Sequence, residues 1–195
     1  MENNIFEAIR ILKEGGIVIF PTDTAFGIGC RVDREDSIER LFRLRKRPTT
    51  QPTPVLCSSL AMVQEYVTAI PDDVREKLIK PYWPGALTIV LPAKTEKVPS
   101  LVRGGGLTVG VRIPDHAITQ KLIEGVGVPI LGPSANFHGE PTPFTLSAIN
   151  PKLYSLVDYI VPGICKKNEA STVIDCSVSP WKILREGAVK LNIDR

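Results

Sequence analysis

The chain has 195 residues, 43% of them hydrophobic and 23% charged, which is the balance of a globular protein long enough to bury one sizeable core. A net charge of +3 is too small to imply bulk attraction to nucleic acid or membrane, so only local clustering of charge can suggest either. No apolar run approaches the ~20 residues that a membrane helix needs, and four scattered cysteines with two distant histidines have no zinc-site spacing. The polar opening MENNIFEAIR does not read as a secretory leader. A cytoplasmic protein with buried, reduced thiols is therefore expected.

In chain order, residues 3–16 read as an amphipathic helix with Ile5, Ala8, Ile9 and Leu12 on one face. Asn3 or Asn4 can cap its start, and Gly15-Gly16 stop it. The run IVIF at 17–20 reads as a buried strand. A second helix runs from about Asp36 to Arg45, ended by Pro48. Strands follow at Val55–Cys57, Leu87–Leu91 and Leu107–Arg112, with helices at Leu60–Val67, Asp72–Ile79 and Ala117–Glu124. VPILG at 128–132 is a further strand, Thr145–Asn150 a helix, and 157–161, 172–175, 182–185 and 188–191 are strands. Helices and strands alternate and then strands crowd the last third, which predicts an α/β fold with a large mixed sheet. No repeat or linker divides it, so one domain spanning 1–195 is expected. Trp83 is assigned to the core and His116 to a helix cap or the surface.

Polar residues gather after the predicted strands. Thr22, Asp23 and Thr24 follow the first one, where α/β sheets bind ligands, although a capped turn explains the same residues. Five of the eight residues from 40 to 47 are cationic. A helix dipole favours some of these charges, and Arg40 and Arg43 read as solvated. Arg45 and Arg47, at the helix end, have the forked geometry that grips phosphate. Ser134 and Asn136 follow the VPILG strand, outside any G-x-S-x-G context. Arg112, Ser171 with Thr172, and Arg185 are polar groups at the ends of apolar strands. No P-loop, dinucleotide fingerprint, metal cluster or activated nucleophile accompanies them. This inventory suits a phosphorylated ligand and catalysis by positioning and charge stabilisation.

Seven motifs in order, GGIVIFPTDTAFGIG, RKRP, YWPGALTIVL, VGVRIPDH, GPSAN, STVID and LREG, resemble those of the YrdC/Sua5 family from about Gly15 to Gly187. The resemblance implies one α/β domain with a twisted mixed sheet, flanked by helices, around a large basic cavity. It implies an L-threonylcarbamoyladenylate synthase of the short single-domain type. ATP, L-threonine and bicarbonate would give threonylcarbamoyl-AMP and pyrophosphate, with Mg²⁺ bound mainly through the phosphates. A separate transferase would then modify adenosine 37 of tRNAs reading ANN codons.

By the same resemblance, Arg45, Arg47, Ser134 and Asn136 fall at catalytic positions. Arg45, Thr49, Thr108, Ser134, Asn136, Thr142 and Arg185 fall at nucleotide positions. Thr22, Arg112, Gly132 and Ser171 fall at threonine positions. Three departures stand out: Arg45 replaces the family's usual lysine, Phe26 replaces a frequent tyrosine, and Leu56-Cys57 stand where many members have histidine. Two alternatives keep the fold without the synthase reaction: a YciO-like paralogue, or a module binding tRNA or other structured RNA. The loop 92–106, with its three glycines, reads equally as a lid or as a surface loop.

Overall fold

The computed structural model describes residues 2–191. Helix α1 (Glu2–Lys13) leads through Gly15, whose φ is +89°, into β1 (Val18–Pro21) and its antiparallel partner β2 (Phe26–Gly29). Then come α2 (Glu35–Leu44), β3 (Val55–Leu56) and α3 (Leu60–Tyr66), the last capped by Ser59 Oγ, which accepts from the Met62 amide at 3.1 Å. The helix expected at Asp72–Ile79 is an irregular rod. It opens as α4 (Asp72–Val74), loosens into a π-turn at Arg75–Ile79, and closes as α5 (Lys80–Tyr82). Next are β4 (Leu87–Pro92), β5 (Thr108–Arg112), α6 (Ala117–Val126) and β6 (Ile130–Leu131). A 3₁₀ turn at Leu146–Ala148, α7 (Pro151–Tyr154), β7 (Tyr159–Ile160), β8 (Thr172–Asp175) and β9 (Lys182–Arg185) complete the order.

The strands form two mixed sheets rather than one. Three strands run in the order β2-β1-β7 and six in the order β6-β3-β5-β4-β8-β9. A seam joins them. The Ile28 amide donates to the Pro133 carbonyl at 2.9 Å, Leu131 to Cys30 at 2.9 Å and Ala135 to Phe26 at 2.8 Å. Here β2 runs beside the 130–135 segment and the two sheets continue into each other. The approach is so close that a Cβ on Gly29 would lie 1.8 Å from the Leu131 carbonyl oxygen, so only glycine fits.

Alternation along β1 explains why all four of its residues are buried. Ile17 and Ile19 enter one apolar cluster with Phe26, Val55, Leu87 and Ile89. Val18 and Phe20 enter a second one beneath α1 and α6, with Leu12, Leu122 and Ile123. A strand with a core on each face must be apolar at every position, which is the IVIF run.

Several expectations need correction. The helix placed at Thr145–Asn150 is a short 3₁₀ turn followed by α7, since Pro151 pre-sets φ for a helix start and disfavours helix before it. Residues 188–191 are not a strand. Val189 instead exchanges hydrogen bonds with the Thr172 hydroxyl, at 2.6 and 3.1 Å, a clamp that takes the place of a ladder. Arg40 is not simply solvated: its guanidinium holds the Asp158 carboxylate at 2.6 and 3.0 Å, tying α2 to the segment before β7. Arg43 does face solvent, loosely paired with Glu39 at 3.5 Å. His116 is buried and makes no side-chain cap; its Nε2 lies 3.1 Å from the Ile164 carbonyl. Trp83 is in the core as expected, donating from Nε1 to the Leu87 carbonyl at 2.7 Å. All four thiols are free and buried. Burial pushes Cys176 up to about 12, and Cys30, Cys57 and Cys165 also upward.

Candidate active site

Strand ends and loops from both sheets enclose one cleft with about 650 Å³ of open space, part of it continuous with solvent. Arg45, Arg47, Arg112 and Arg185 all line it, and among the described residues no Asp or Glu does.

The exit of α2 places the first two arginines. The helix ends with paired bonds, Arg47 amide to Phe42 carbonyl at 2.9 Å and Lys46 amide to Arg43 carbonyl at 3.0 Å. This is a Schellman closure. Its left-handed residue is Lys46, with φ +53°, where glycine is usual. The chain therefore turns three-dimensionally between Arg45 and Arg47, so that both reach the cleft while Lys46 lies 5.5 Å above the Phe137 ring.

Arg45 is 3% exposed. Its Nε donates to the Asn136 backbone carbonyl at 3.0 Å and one terminal nitrogen to Asn136 Oδ1 at 3.2 Å. That same Oδ1 accepts from Ser134 Oγ at 2.6 Å, and the Asn136 amide nitrogen donates to the Glu140 carbonyl at 2.6 Å. The other terminal nitrogen of Arg45 is buried without a partner among the described residues. Burial, helped by the neighbouring Arg47 charge, lowers Arg45 to about 10. Arg47 spans the turn that follows, donating to the Gln51 and Pro52 carbonyls at 3.3 and 2.5 Å, and burial lowers it too.

At the other end of the cleft, Arg112 is fixed on three sides. It donates to the Gly85 carbonyl at 2.9 Å, Thr24 Oγ1 at 2.9 Å and Asp23 Oδ1 at 2.5 Å. Burial still lowers it, against the pull of Asp23. Thr22 shapes the hairpin that carries these partners: its hydroxyl donates to the Ala25 carbonyl at 2.7 Å and accepts from the Thr24 and Ala25 amides. Arg185, also lowered by burial, embraces Ser171, reaching its carbonyl at 2.7 and 3.0 Å and its hydroxyl at 2.9 Å. Thr88 Oγ1 lies 3.0 Å from the same hydroxyl.

Among the described residues, Arg112 is the one of these four guanidiniums that has a carboxylate partner. The other three meet neutral carbonyls, hydroxyls and an amide. Arg45 is buried, Arg47 half-buried and Arg185 more exposed, so an unpaired charge is most costly at Arg45, and an anion with several oxygens would offset that cost. Such an arrangement can accept an anion with several oxygens.

A family model described as Sua5_yciO_yrdC, telomere recombination, matches residues 10–187. The chain belongs to this family. It is 37% identical over 185 residues to the threonylcarbamoyl-AMP synthase of Pyrococcus abyssi, covering 94% of this chain and 54% of that protein. The crystal structure of P. abyssi Sua5 complexed with L-threonine superimposes with a TM-score of 0.90 at 37% identity, covering 96% of this chain and 55% of that one. The crystal structure of Escherichia coli YciO gives a TM-score of 0.87 at 28% identity, covering 98% and 93%. The chain thus spans about half the length of the Sua5 relative and nearly all of YciO.

Of the residues the Sua5 resemblance singles out, Thr22, Arg45, Arg47, Arg112, Gly132, Ser134, Thr142, Ser171 and Arg185 line the one cleft. Three do not. Asn136 is buried behind Ser134 and braces Arg45. Thr49 lies in a neighbouring depression with Thr50, Leu101 and Gly104, and Thr108 opens β5 opposite Pro92. The apolar wall includes Phe26 and Leu56, so neither a tyrosine hydroxyl nor an imidazole enters from those positions. The loop 92–106 contributes no lining residue and is anchored by buried Val98 and Val102, the latter accepting from the Thr53 amide at 3.0 Å. Thr88 was not foreseen, although a threonine within LTIVL breaks an otherwise apolar strand and could have been noticed.

Proposed function

We propose that the protein is a threonylcarbamoyl-AMP synthase. Three guanidiniums without carboxylate partners face the same cleft as an Arg112 held rigid by Asp23 and Thr24, and this carries the reading. Arg45, Arg47 and Arg185 bind the ATP phosphates. Arg112, with Thr22 and Ser171 beside it, takes the carboxylate of L-threonine. Bicarbonate supplies the carbamoyl carbon: the threonine amine attacks it, water leaves, and N-carboxythreonine forms. One oxygen of the new carboxylate attacks the α-phosphorus, the bond to the β-phosphoryl oxygen breaks, and pyrophosphate departs. The nucleophile belongs to the substrate, which agrees with the absence of an activated Ser, Cys or His from the cleft lining. Arg45 and Arg47 stabilise charge growing on the transferred and departing phosphates.

The donor set does not fit a protein-held divalent cation, since guanidiniums and hydroxyls line the cleft and no carboxylate does. Mg²⁺ would arrive on the nucleotide. The product is a mixed anhydride for a separate transferase that acts on tRNA adenosine 37. The test is pyrophosphate release from ATP, bicarbonate and L-threonine. Threonine-dependent release supports the reading; none from folded protein at millimolar substrate overturns it and favours a YciO-like role.

A further inference from the structure

Two buried polar atoms beside the amino-acid end of the cleft find no partner among the described residues: Asp23 Oδ2 and His116 Nδ1. The two side chains make no direct pair, but the Asp23 charge acts on the His116 ring. His116 sits at the start of α6, whose Thr119 hydroxyl donates to the Pro21 carbonyl at 2.6 Å, two residues before Asp23. Both also hold the segment 164–167. His116 Nε2 meets the Ile164 carbonyl at 3.1 Å, and the Asp23 carbonyl accepts from the Lys167 amide at 3.0 Å.

Proton accounting links the two atoms. A carbonyl only accepts, so Nε2 must carry the hydrogen that meets Ile164. In the neutral ring Nδ1 is then an acceptor, as is the carboxylate oxygen Oδ2. Two buried acceptors are each costly unless a donor reaches them. Burial lowers the His116 basicity, opposed by the Ile164 carbonyl and the Asp23 charge. Lys166 pushes the same way as burial and Asp115 against it, and those two are themselves paired at 2.8 Å.

We infer that His116 and Asp23 are positioning residues for the amino-acid site: they share one buried water, which donates to both while His116 is neutral, and which accepts from the ring and still donates to Asp23 when His116 is charged. This joint fixes the Asp23 carboxylate, whose Oδ1 orients Arg112. It also ties Arg112 to the 164–167 segment, which leads to Ala170 and Ser171 at the cleft wall. The inference rests on the proposed synthase reading for its ligand, but the pairing itself can be tested without one.

The chain contains two histidines, so imidazole nitrogen shifts are readily assigned by NMR with a His138→Gln reference. The expected result is the Nε2–H tautomer for His116, and a titration that moves to lower pH in Asp23→Asn, which removes the anion that favours the charged ring. The Nδ1–H tautomer, or a titration unmoved by Asp23→Asn, would overturn the pairing. Binding gives the second arm. His116→Gln keeps a donor for Ile164 and loses the Nδ1 acceptor. L-Threonine affinity should drop about tenfold as Arg112 loses its fixed orientation, with ATP affinity unchanged and the melting temperature lowered by the group left unsatisfied. L-Threonine affinity within about twofold of the natural protein overturns the positioning role. If the natural protein binds no L-threonine, the synthase reading fails, while the tautomer measurement still decides the pairing.

Discussion

Replacing Arg45 with lysine keeps the charge and removes the fork. In the native chain Nε and one terminal nitrogen of Arg45 hold the two oxygens of Asn136, at 3.0 and 3.2 Å. An ammonium is one point of charge and can serve one of those acceptors in this geometry while also meeting a phosphate. At least one charge-assisted hydrogen bond is lost, about 1.5–3 kcal/mol. If that cost falls on the bound transition state, the rate drops by roughly 10- to 100-fold. The assay is threonine-dependent pyrophosphate release by Arg45→Lys at saturating ATP and L-threonine, with melting temperature recorded as a control. A rate equal to or above that of the natural protein would refute the reasoning. It would mean that the brace on Asn136 is not needed and that the arginine impairs a site better served by lysine.

Inorganic phosphate at matched ionic strength should raise the melting temperature, because an anion that binds the folded site at ~100 times its Kd adds about 2.7 kcal/mol; Arg45→Met combined with Arg185→Met should abolish the effect, and an undiminished shift would place the anion elsewhere. Arg40→Ala should cost about 1 kcal/mol at neutral pH, a modest figure because Arg40 is 43% exposed. Burial raises the Asp158 carboxyl, but the Arg40 contact and the Ile17 amide outweigh it and the net shift is downward. Its stabilisation is therefore present above the ordinary carboxylate value and lost as pH falls through the folded one, so Arg40→Ala should flatten the acid side of the stability profile measured by urea unfolding. A parallel, merely offset profile would contradict this. Gly29→Ala would place a methyl 1.8 Å from a backbone oxygen at the seam between the sheets. Loss of several kcal/mol, or no folded protein, is expected in a circular dichroism melt; a melting temperature like the natural one would contradict the seam.

Much of this was legible because local chemistry and burial share a period. The IVIF run reads as a doubly buried strand, and the polar residues that follow each apolar run mark strand ends where a cleft forms. What local pattern cannot encode is pairing over long separations. Arg112 finds Asp23 and Thr24 from 88 or 89 positions away, and Arg45 finds Asn136 from 91. The sequence presents Asn136 as a ligand contact, and the fold adds that it braces Arg45. It also presents Arg40 as one more solvated charge, because Asp158 lies 118 residues on.

The RKRP motif shows the same limit at short range. If α2 continued, side chains two apart would point about 200° from each other, and Arg45 and Arg47 could not share a wall. The Schellman closure removes that objection by taking Lys46 into the left-handed region. A lysine there carries strain of about 1–2 kcal/mol that glycine would not, offset in part by its position over Phe137. The middle residue of the motif thus contributes through its backbone, and its ammonium stays outside the cleft lining. Lys46→Gly should accordingly leave threonine-dependent pyrophosphate release within about twofold. A large loss would return the Lys46 ammonium to the chemistry and undo this account of how the two arginines are paired.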